Sequence, residues 1–487
     1  MSLFQFILRS CLRSTTFFVV FTFASLRRTW CTTRSFKFNA SNMIPFKQFL
    51  TLISLSLFFF YSPSKAEDAV SSSVGSSFAD KSDSFKEKWG LTPSFHLGYW
   101  EKDKSFSNSI NYPMSSFWLT LHPQDFESFP IHFEGFIQSQ QESTLNRENS
   151  SFEKEQKIYS EIREWYWQKS ISNFDIKIGR QINIWGRADK VNPTDVFTVK
   201  NMKVLTVEDE EQRVGLLSTM LTYHWDSSKL IALWQPEWRF PVYPMRAIPG
   251  ILIHEINPPN ANKQFGLKWD YSNEGFDGSL SYFKGISKTP DIGPSLEPNI
   301  IPNMINVDLA YHEIQMLGGD FAFNAENTAF RGEIAYTQTE DKKGNNPFIQ
   351  NPQLFAVIGA DRTIIENLNI NLQILYKHIY HFSTYQDPQL QSLIDIENRI
   401  SQQQFENDYG WSFRPSYKLL NETLELETSF LSWEKNKESV VRPKISYSLN
   451  DNSKLMIGGE FFHGPANSLL GSFKDISGGF MEWRYYF

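Results

Sequence analysis

The sequence has little cysteine and no apolar segment of the kind that crosses a membrane as a helix. Both cysteines, Cys11 and Cys31, precede the position where we expect the chain to be cleaved, so the mature protein would have no disulfide or thiol chemistry. Charged residues make up 21% of the chain and the mean hydropathy is −0.38. Because a spanning helix needs about 20 mostly apolar residues, a helical membrane protein is excluded.

Basic residues are scarce relative to acidic ones. Eight of the 47 Lys and Arg residues, and none of the 54 Asp and Glu residues, lie in residues 1–66. Without that segment, 39 basic residues face 54 acidic ones, and the net charge is −15. Since binding to nucleic acid needs a basic surface, we exclude nucleic acid as a partner.

Aromatic residues, by contrast, are abundant at 16% of the chain. A transmembrane β-barrel combines such a content with a polar average composition. Its strands show lipid only every second side chain, and aromatic girdles mark both membrane interfaces. The composition therefore favours an all-β membrane protein.

The N-terminal region is typical of export. After Met43, Lys47 forms a positive n-region, residues 49–61 form a short apolar core, and Ala66 ends a cleavage site. The residues before Met43 could be a transit peptide, part of a long n-region, or a result of a start codon assigned too early, which we favour. We predict an upstream segment over residues 1–42 that is outside the true precursor, a signal peptide over 43–66, a flexible periplasmic tail over 67–93 and an outer-membrane β-barrel over 94–487.

The rest of the chain alternates apolar and polar residues in short segments. In the clearest one, Leu372 and Ile374 share a face, and Asn371 and Gln373 share the opposite face. We count eighteen such segments, one of them over residues 307–324. Connections after odd-numbered segments are mostly long, and those after even-numbered segments are mostly tight. This pattern predicts an all-β fold, a transmembrane antiparallel β-barrel of about 18 strands with both termini periplasmic, in the outer membrane of a Gram-negative bacterium.

The last segment has a pattern of its own. Trp483, Tyr485 and Phe487 share one face, whereas Glu482 and Arg484 share the other. An aromatic strand that ends in phenylalanine is similar to the recognition signal of the barrel-assembly machinery. We therefore expect this machinery to recognise the chain through Phe487. We also expect contacts with membrane lipid and lipopolysaccharide, and a homotrimer is possible although no strand is marked as an interface.

The densest group of unusual residues ends one strand and opens a long loop. It contains Gly-Arg-Gln at 179–181, Trp-Gly at 185–186, Asp189, and Asn-Pro-Thr-Asp at 192–195. Over about residues 173–245 the chain resembles a family of largely uncharacterised proteobacterial outer-membrane proteins grouped with alginate-export-type porins. The resemblance implies a channel or an exporter.

Physically, this group predicts a loop that folds back into the barrel. Gly186 suits a sharp exit from a strand, and we expect Arg180, Asp189 and Asp195 to pair inside the barrel. Residues 185–214 would then be either a constriction that selects solutes or a braced loop without selectivity. The predicted pore residues are Arg180, Gln181, Trp185, Arg187, Asp189, Asn192 and Asp195.

The same loop contains an acidic run at residues 208–211. The run could bind divalent cations near the lipopolysaccharide, but it lacks the alternating ligand spacing of a calcium loop. We therefore expect a solvated loop here.

The predicted lumen carries charges of both signs in nearly equal number. This balance disfavours a polyanionic substrate, and small polar solutes fit it better. The charged residues that we expect to face the lumen include Lys177, Lys268, Arg331, Glu333, Glu425, Glu427, Arg442 and Lys444.

An enzymatic barrel is the main alternative to a channel. His381 and Ser383 have the spacing of a phospholipase-like pair, and His463 lies near Asn467 and Ser468. We expect ordinary loop residues at both places, because no metal spacing, phosphate loop or nucleophile elbow occurs. We predict no catalytic residue, no metal and no cofactor. A surface barrel without conductance is a further alternative.

Overall fold

The computed structural model describes residues 89–102, 111–123, 130–146, 151–243, 251–295 and 305–487. The predicted segments 1–42 and 43–66 lie outside the described residues, as does most of the predicted tail at 67–93. Among the described residues, no helix is both long and apolar enough to cross a membrane.

Strands account for most of the described chain. In chain order they are β1 (Leu91–Lys102), β2 (Asn111–Leu121), β3 (Ile131–Asn146), β4 (Ser151–Ile171), β5 (Phe174–Gln181), β6 (Val199–Lys200), β7 (Arg213–Val214), β8 (Leu216–Trp225), β9 (Ser228–Gln235), β10 (Ile251–Glu255), β11 (Gln264–Asn273), β12 (Phe276–Ile286), β13 (Asp291–Pro294), β14 (Ile305–Ala310), β15 (Glu313–Ala325), β16 (Thr328–Gln338), β17 (Gln353–Ile365), β18 (Leu368–Ile379), β19 (Asn407–Leu419), β20 (Leu424–Trp433), β21 (Glu438–Asn450), β22 (Ser453–His463) and β23 (Gly478–Tyr486). The connections hold helices α1 (Gln391–Ile400) and α2 (Leu469–Ser472) and the 3₁₀ turns Asp209–Gln212 and Lys474–Ile476.

Eighteen of these strands form one closed antiparallel sheet. Its members are β1 to β5, β8, β9, β11, β12 and β15 to β23, and each pairs with the next in chain order. The last strand returns to the first, with Trp483 opposite Leu97 and Tyr485 opposite Phe95. The predicted antiparallel barrel of 18 strands is confirmed.

The connections alternate in length around the barrel. At one end, which we call the turn end, two-residue turns join neighbouring strands. Asp226 and Glu326 begin such turns with φ of 43° and 51°, and Asn367 ends one with φ of 67°, the conformation that matches the twist of a hairpin. At the other end, the loop end, long connections include residues 182–215, 236–263, 287–312 and 380–406.

One predicted strand is wrong. The segment 307–324 is not a single strand, because β14 ends at Ala310 and β15 begins at Glu313. The first part pairs with β10 and β13 in a small sheet at the loop end, where Val307 and Leu309 are buried. A period of two occurs in both sheets, so alternation alone could not separate them.

The outer surface of the barrel is apolar and its interior is polar. On β18, Leu372 and Ile374 are 47% and 58% exposed, whereas Asn371 and Gln373 are 3% and 1% exposed. Apolar side chains therefore face the surroundings, which is the reverse of a soluble protein. Backbone groups in lipid must all be paired, and a closed barrel achieves this. The chain is therefore a transmembrane β-barrel.

Candidate functional site

Residues 182–215, which we call the lumen loop, connect β5 to β8 and contact side chains of the inner wall. At the start of the loop, the Ile182 backbone N–H donates to Glu164 of β4 at 2.9 Å. Near its end, the Arg213 carbonyl accepts a hydrogen bond from Arg163 of β4 at 3.0 Å. Both ends of the loop are thus tied to the same strand of the wall.

An apolar cluster anchors the middle of the lumen loop. Trp185 and Phe197 of the loop pack edge to face at 4.8 Å, and Phe197 packs in the same way on Phe283 of β12 at 4.7 Å. Ile314 and Met316 of β15 complete this side of the buried cluster. Because burying a large apolar side chain stabilises by about 1.5–3 kcal/mol, the cluster holds the loop against the β9–β16 wall.

Glu333 of β16 holds the loop backbone in place. Its side chain lies inside the barrel and is 3% exposed. It accepts hydrogen bonds from the backbone N–H groups of Arg187 (3.2 Å), Ala188 (3.1 Å) and Thr194 (2.6 Å), and from the Thr194 hydroxyl (2.8 Å). A buried carboxylate is costly unless it is hydrogen-bonded, so these four donors make Glu333 a clamp on the loop.

Arg187 extends the same attachment with an ion-pair cluster. Its guanidinium donates to both carboxylate oxygens of Asp270 of β11 at 3.0 Å and also bonds Asp320 of β15. Lys268 of β11 lies 3.5 Å from each of these two carboxylates. Two acids and two bases therefore balance on this wall.

Asp189 attaches the loop to a second part of the wall. Its Oδ2 accepts from Nε and Nη2 of Arg414 of β19 at 2.9 and 2.6 Å. Arg414 also lies 3.3 Å from Glu427 of β20, which is 3.4 Å from Lys444 of β21. Arg187 and Asp189 thus bind different parts of the wall, β11 and β15 for Arg187 and β19 for Asp189.

The acidic run of the loop faces the basic part of this second wall. The pairs are Glu208–Lys444 at 3.2 Å, Asp209–Arg442 at 2.9 Å and Glu211–Arg484 at 2.6 Å. Burial alone would raise the pKa of Asp209, but Arg442, Lys190 and Lys200 outweigh this effect and lower it. Glu208, Asp209 and Glu210 keep at least partly exposed side chains, as expected of a solvated loop, but three of the four carboxylates also pair with strand residues, which the sequence did not indicate.

The expected mutual pairing of Arg180, Asp189 and Asp195 is also wrong. Arg180 instead lies 2.8 Å from Glu237 and donates to the Gly215 carbonyl. Asp195 accepts from Arg213 within the loop at 2.7 Å. Each residue has a nearer partner of opposite charge, which strand alternation alone does not specify.

The other predicted pore and lumen residues have local partners. Gln181 donates to the Ser218 carbonyl at 2.9 Å, and Asn192 donates to the Ala188 carbonyl at 3.0 Å. The remaining predicted lumen residues are Lys177, which lies 3.6 Å above the Tyr166 ring, Glu425, which accepts from Ser416 at 2.8 Å, and Arg331, which is two residues from Glu333 on β16. Sequence reasoning missed Arg414, although it lies between Ser412 and Ser416 on the polar positions of β19.

Two adjoining cavities remain beside the lumen loop. The larger has a volume of about 550 Å³ and is bordered by the turn-end half of β1, β3, β4 and β23. The smaller has a volume of about 380 Å³ and lies between the loop and residues of β19 to β21. Both are lined by Ile184, Glu208, Glu210 and Arg213. The two cavities therefore meet at these loop residues.

The residues considered for an enzymatic barrel have other contacts. The Ser468 hydroxyl caps α2, since it accepts from the Gly471 N–H at 3.2 Å and donates to the Pro465 carbonyl at 2.9 Å. His381 and Ser383 are exposed at the loop end. Within the described ranges, no hydrogen bond joins these two side chains. Among the described residues, His381 and Ser383 therefore do not form a nucleophile and base pair, and the Ser468 hydroxyl is engaged with backbone groups.

Residues 250–459 match a family model. The model is described as "Protein of unknown function (DUF1302)". The match lies outside residues 173–245, on which the resemblance to alginate-export-type porins rests, so that grouping stays a prediction. A comparison with curated protein sequences finds no match.

Three solved structures of bacterial proteins are similar to the chain at low identity. OccK7 (OpdD) of Pseudomonas aeruginosa is 13% identical with a TM-score of 0.46, covering 82% of this chain and 98% of that chain. OccAB1 of Acinetobacter baumannii is 9% identical with a TM-score of 0.46, covering 82% and 96%. A triple mutant of the Rhodopseudomonas blastica porin is 9% identical with a TM-score of 0.36, covering 82% and 99%. The fold described above rests on the closed strand pairing and not on these likenesses.

Proposed function

We propose that this chain is a passive channel for small polar solutes, with the lumen loop as its constriction. We place the loop end outside the cell and the turn end in the periplasm, together with both chain termini, as in bacterial barrels. The solutes would pass beside the loop, through the two cavities. This proposal gives the barrel no enzymatic step.

The observation that carries the proposal is the charged border between the cavities. Glu210 and Arg213 line both cavities, and Lys190 lines the smaller one. Among the described residues, neither the Glu210 carboxylate nor the Lys190 ammonium forms an ion pair, and both residues are exposed. A passage with free charges of both signs suits small polar or zwitterionic solutes and gives little advantage to a polyanion.

The attachment of the loop to strands on both sides of the lumen supports a constriction. Arg187 binds Asp270 of β11, and Glu211 binds Arg484 of β23, which lies eight strands away around the barrel. A loop held at both sides narrows the lumen permanently and does not swing out of it. The pore would therefore have a fixed size limit.

Solute entry into proteoliposomes tests the proposal. Swelling should be fast with a neutral monosaccharide and should slow with a disaccharide and a trisaccharide, because the loop limits size. Glu210→Gln should leave monosaccharide entry unchanged and slow the entry of small cations relative to anions by about twofold. Lys418→Gln is the matched control, because Lys418 is an exposed residue near the turn end whose ion-pair partner, within the described part of the chain, is Glu422.

Two swelling results would contradict the proposal. If the folded protein gives no swelling with a monosaccharide, the barrel is closed, and a surface or structural role replaces the channel. If monosaccharide and trisaccharide enter at equal rates, the lumen loop is not a constriction.

A further inference from the structure

One imidazole and two carboxylates form a cluster on the inner wall near the turn end. His132 and Glu134 are two residues apart on β3, so they project from the same face. Glu164 of β4 lies directly opposite Glu134 in the strand register. One nitrogen or oxygen atom from each of the three side chains lies within 4.8 Å of those of the other two. Glu134 and Glu164 also line the larger cavity.

The buried His132 ring faces the Glu164 carboxylate. The residue is 6% exposed, and among the residues that the structure describes its buried Nε2 has no hydrogen-bond partner. Its Nδ1 lies 3.0 Å from Nδ1 of His122, so one of these rings donates to the other. When His132 is the donor, its Nε2 carries a lone pair directed at the carboxylates. A buried lone pair beside negative oxygens is unfavourable unless a positive group lies between them.

The distance to Glu164 fits two ligands of one ion. Nε2 of His132 and Oε2 of Glu164 are 3.6 Å apart, which is too far for a hydrogen bond. Two ligand atoms at about 2.1 Å from a tetrahedral ion are roughly 3.4 Å apart. The pair is therefore spaced for a shared metal ion and not for a shared proton.

Neighbouring groups hold both carboxylates in position. Oε1 of Glu164 accepts from the Ile182 N–H, which leaves Oε2 turned to His132. Oε1 of Glu134 pairs with Arg163, whose guanidinium is itself fixed by the Arg213 and Glu210 carbonyls. The second oxygen of Glu134 remains available. Such outer partners orient ligands in known metal sites.

We propose that His132, Glu134 and Glu164 form a binding site for a divalent transition-metal ion, with Zn²⁺ the best match. Imidazole nitrogen suits Zn²⁺, whereas Mg²⁺ and Ca²⁺ take oxygen ligands. The two carboxylates neutralise the ion, and the fourth ligand position faces the cavity. The ion joins β3 to β4 and, through the Glu164–Ile182 hydrogen bond, to the start of the lumen loop. The site does not depend on whether the barrel conducts.

Spectroscopic titration with Co²⁺, a visible stand-in for Zn²⁺, tests the site. The protein is purified in detergent without a histidine tag and is stripped with a chelator. One equivalent of Co²⁺ is expected to produce a visible absorption band, which Zn²⁺ abolishes and excess Mg²⁺ does not. His132→Gln and Glu164→Gln should each weaken binding by about 100-fold or more. His224→Gln is the matched control, because His224 also pairs with a carboxylate, Asp175 at 2.8 Å, but on the opposite side of β5 from this cluster.

The outcomes separate the site from surface binding. Loss of the band in both cluster variants, with the band retained in His224→Gln, supports the site. A band that persists in both cluster variants, or no band in the wild-type protein, overturns it. Folding of each variant is checked by its heat-dependent migration in gels, and if His132→Gln does not fold, Glu164→Gln decides.

Discussion

Gly186 determines how the lumen loop leaves the wall. Its φ is 100°, in the region that favours glycine. A Cβ at this position would clash with the Glu333 carboxylate, which binds the next backbone N–H groups, those of Arg187 and Ala188. The lack of a side chain lets the carboxylate reach the backbone.

Comparing Gly186→Ala with Gly275→Ala separates the cost of a positive φ from the cost of displacing the Glu333 carboxylate. Gly275 has φ of 82° at a turn but open space around it, so its replacement should cost only about 1 kcal/mol of backbone strain. Gly186→Ala should destabilise by roughly 1–3 kcal/mol more, because Glu333 loses buried hydrogen bonds. Urea unfolding in detergent measures both. An equal loss of unfolding free energy in the two variants would show that Glu333 does not clamp the loop.

At the scale of elements, β10, β13, β14 and α1 form a small cap at the loop end. Leu393 and Ile400 of α1 pack against Ile292 and Leu309. The cap also buries acids: Glu397 accepts from the Ile292 N–H at 2.5 Å, and Asp291 binds His312 at 2.5 Å. The Glu397–Ile292 hydrogen bond joins two connections, residues 380–406 and 287–312, whereas the Asp291–His312 pair lies within the second.

The cap should become less stable as the pH rises. Burial and then the charge of Asp291 raise the pKa of Glu397 well above its usual value. Burial lowers the pKa of His312, but its bond to Asp291 outweighs this, and the pKa is raised. A group whose pKa is raised by folding contributes stability that is complete below its unfolded pKa and is lost as the pH rises through its folded pKa. Both groups therefore favour the cap at acidic pH.

Hydrogen-exchange protection of the cap measures this dependence. Protection factors should fall as the pH rises above the ordinary pKa of a glutamate, about 4.3, and Glu397→Gln should flatten the fall, because glutamine can still accept from Ile292. Asp395→Asn is the matched control, since Asp395 is an exposed carboxylate of the same helix. An unchanged slope in Glu397→Gln would contradict the assignment.

At the scale of the whole molecule, the sequence predicts the barrel better than the site. Alternation and the parity of loop lengths are local properties, and they are sufficient for 18 strands. The ion pairs are not local: Asp189 and Arg414 are 225 residues apart. Their meeting depends on barrel closure and loop path, so the sequence indicates the loop but not its partners.

The proposed metal site also depends on contacts between distant residues that the sequence does not predict. His132, Glu134 and Glu164 have no metal-ligand spacing along the chain. They meet through the register of β3 and β4, which shifts at a bulge between Glu134 and Gly135. A bulge adds one residue to one strand, and no local signal in this sequence specifies its position. The prediction that the chain binds no metal was based on spacing alone.

The central claim is that the lumen loop, attached to wall strands from β11 to β23, limits an open passage. Arg187 and Asp189 provide charged attachments to β11, β15 and β19. Arg187→Gln combined with Asp189→Asn should remove these ion pairs and loosen this part of the loop while the barrel strands stay paired. The exposed Lys418→Gln variant again serves as the control.

Single-channel recording in planar bilayers compares these proteins directly. The account predicts stable, ion-dependent steps for the wild-type protein and for Lys418→Gln. For the double variant it predicts a conductance higher by about twofold, with larger fluctuations. Silence from folded wild-type protein, or an equal conductance in the double variant, would contradict the account.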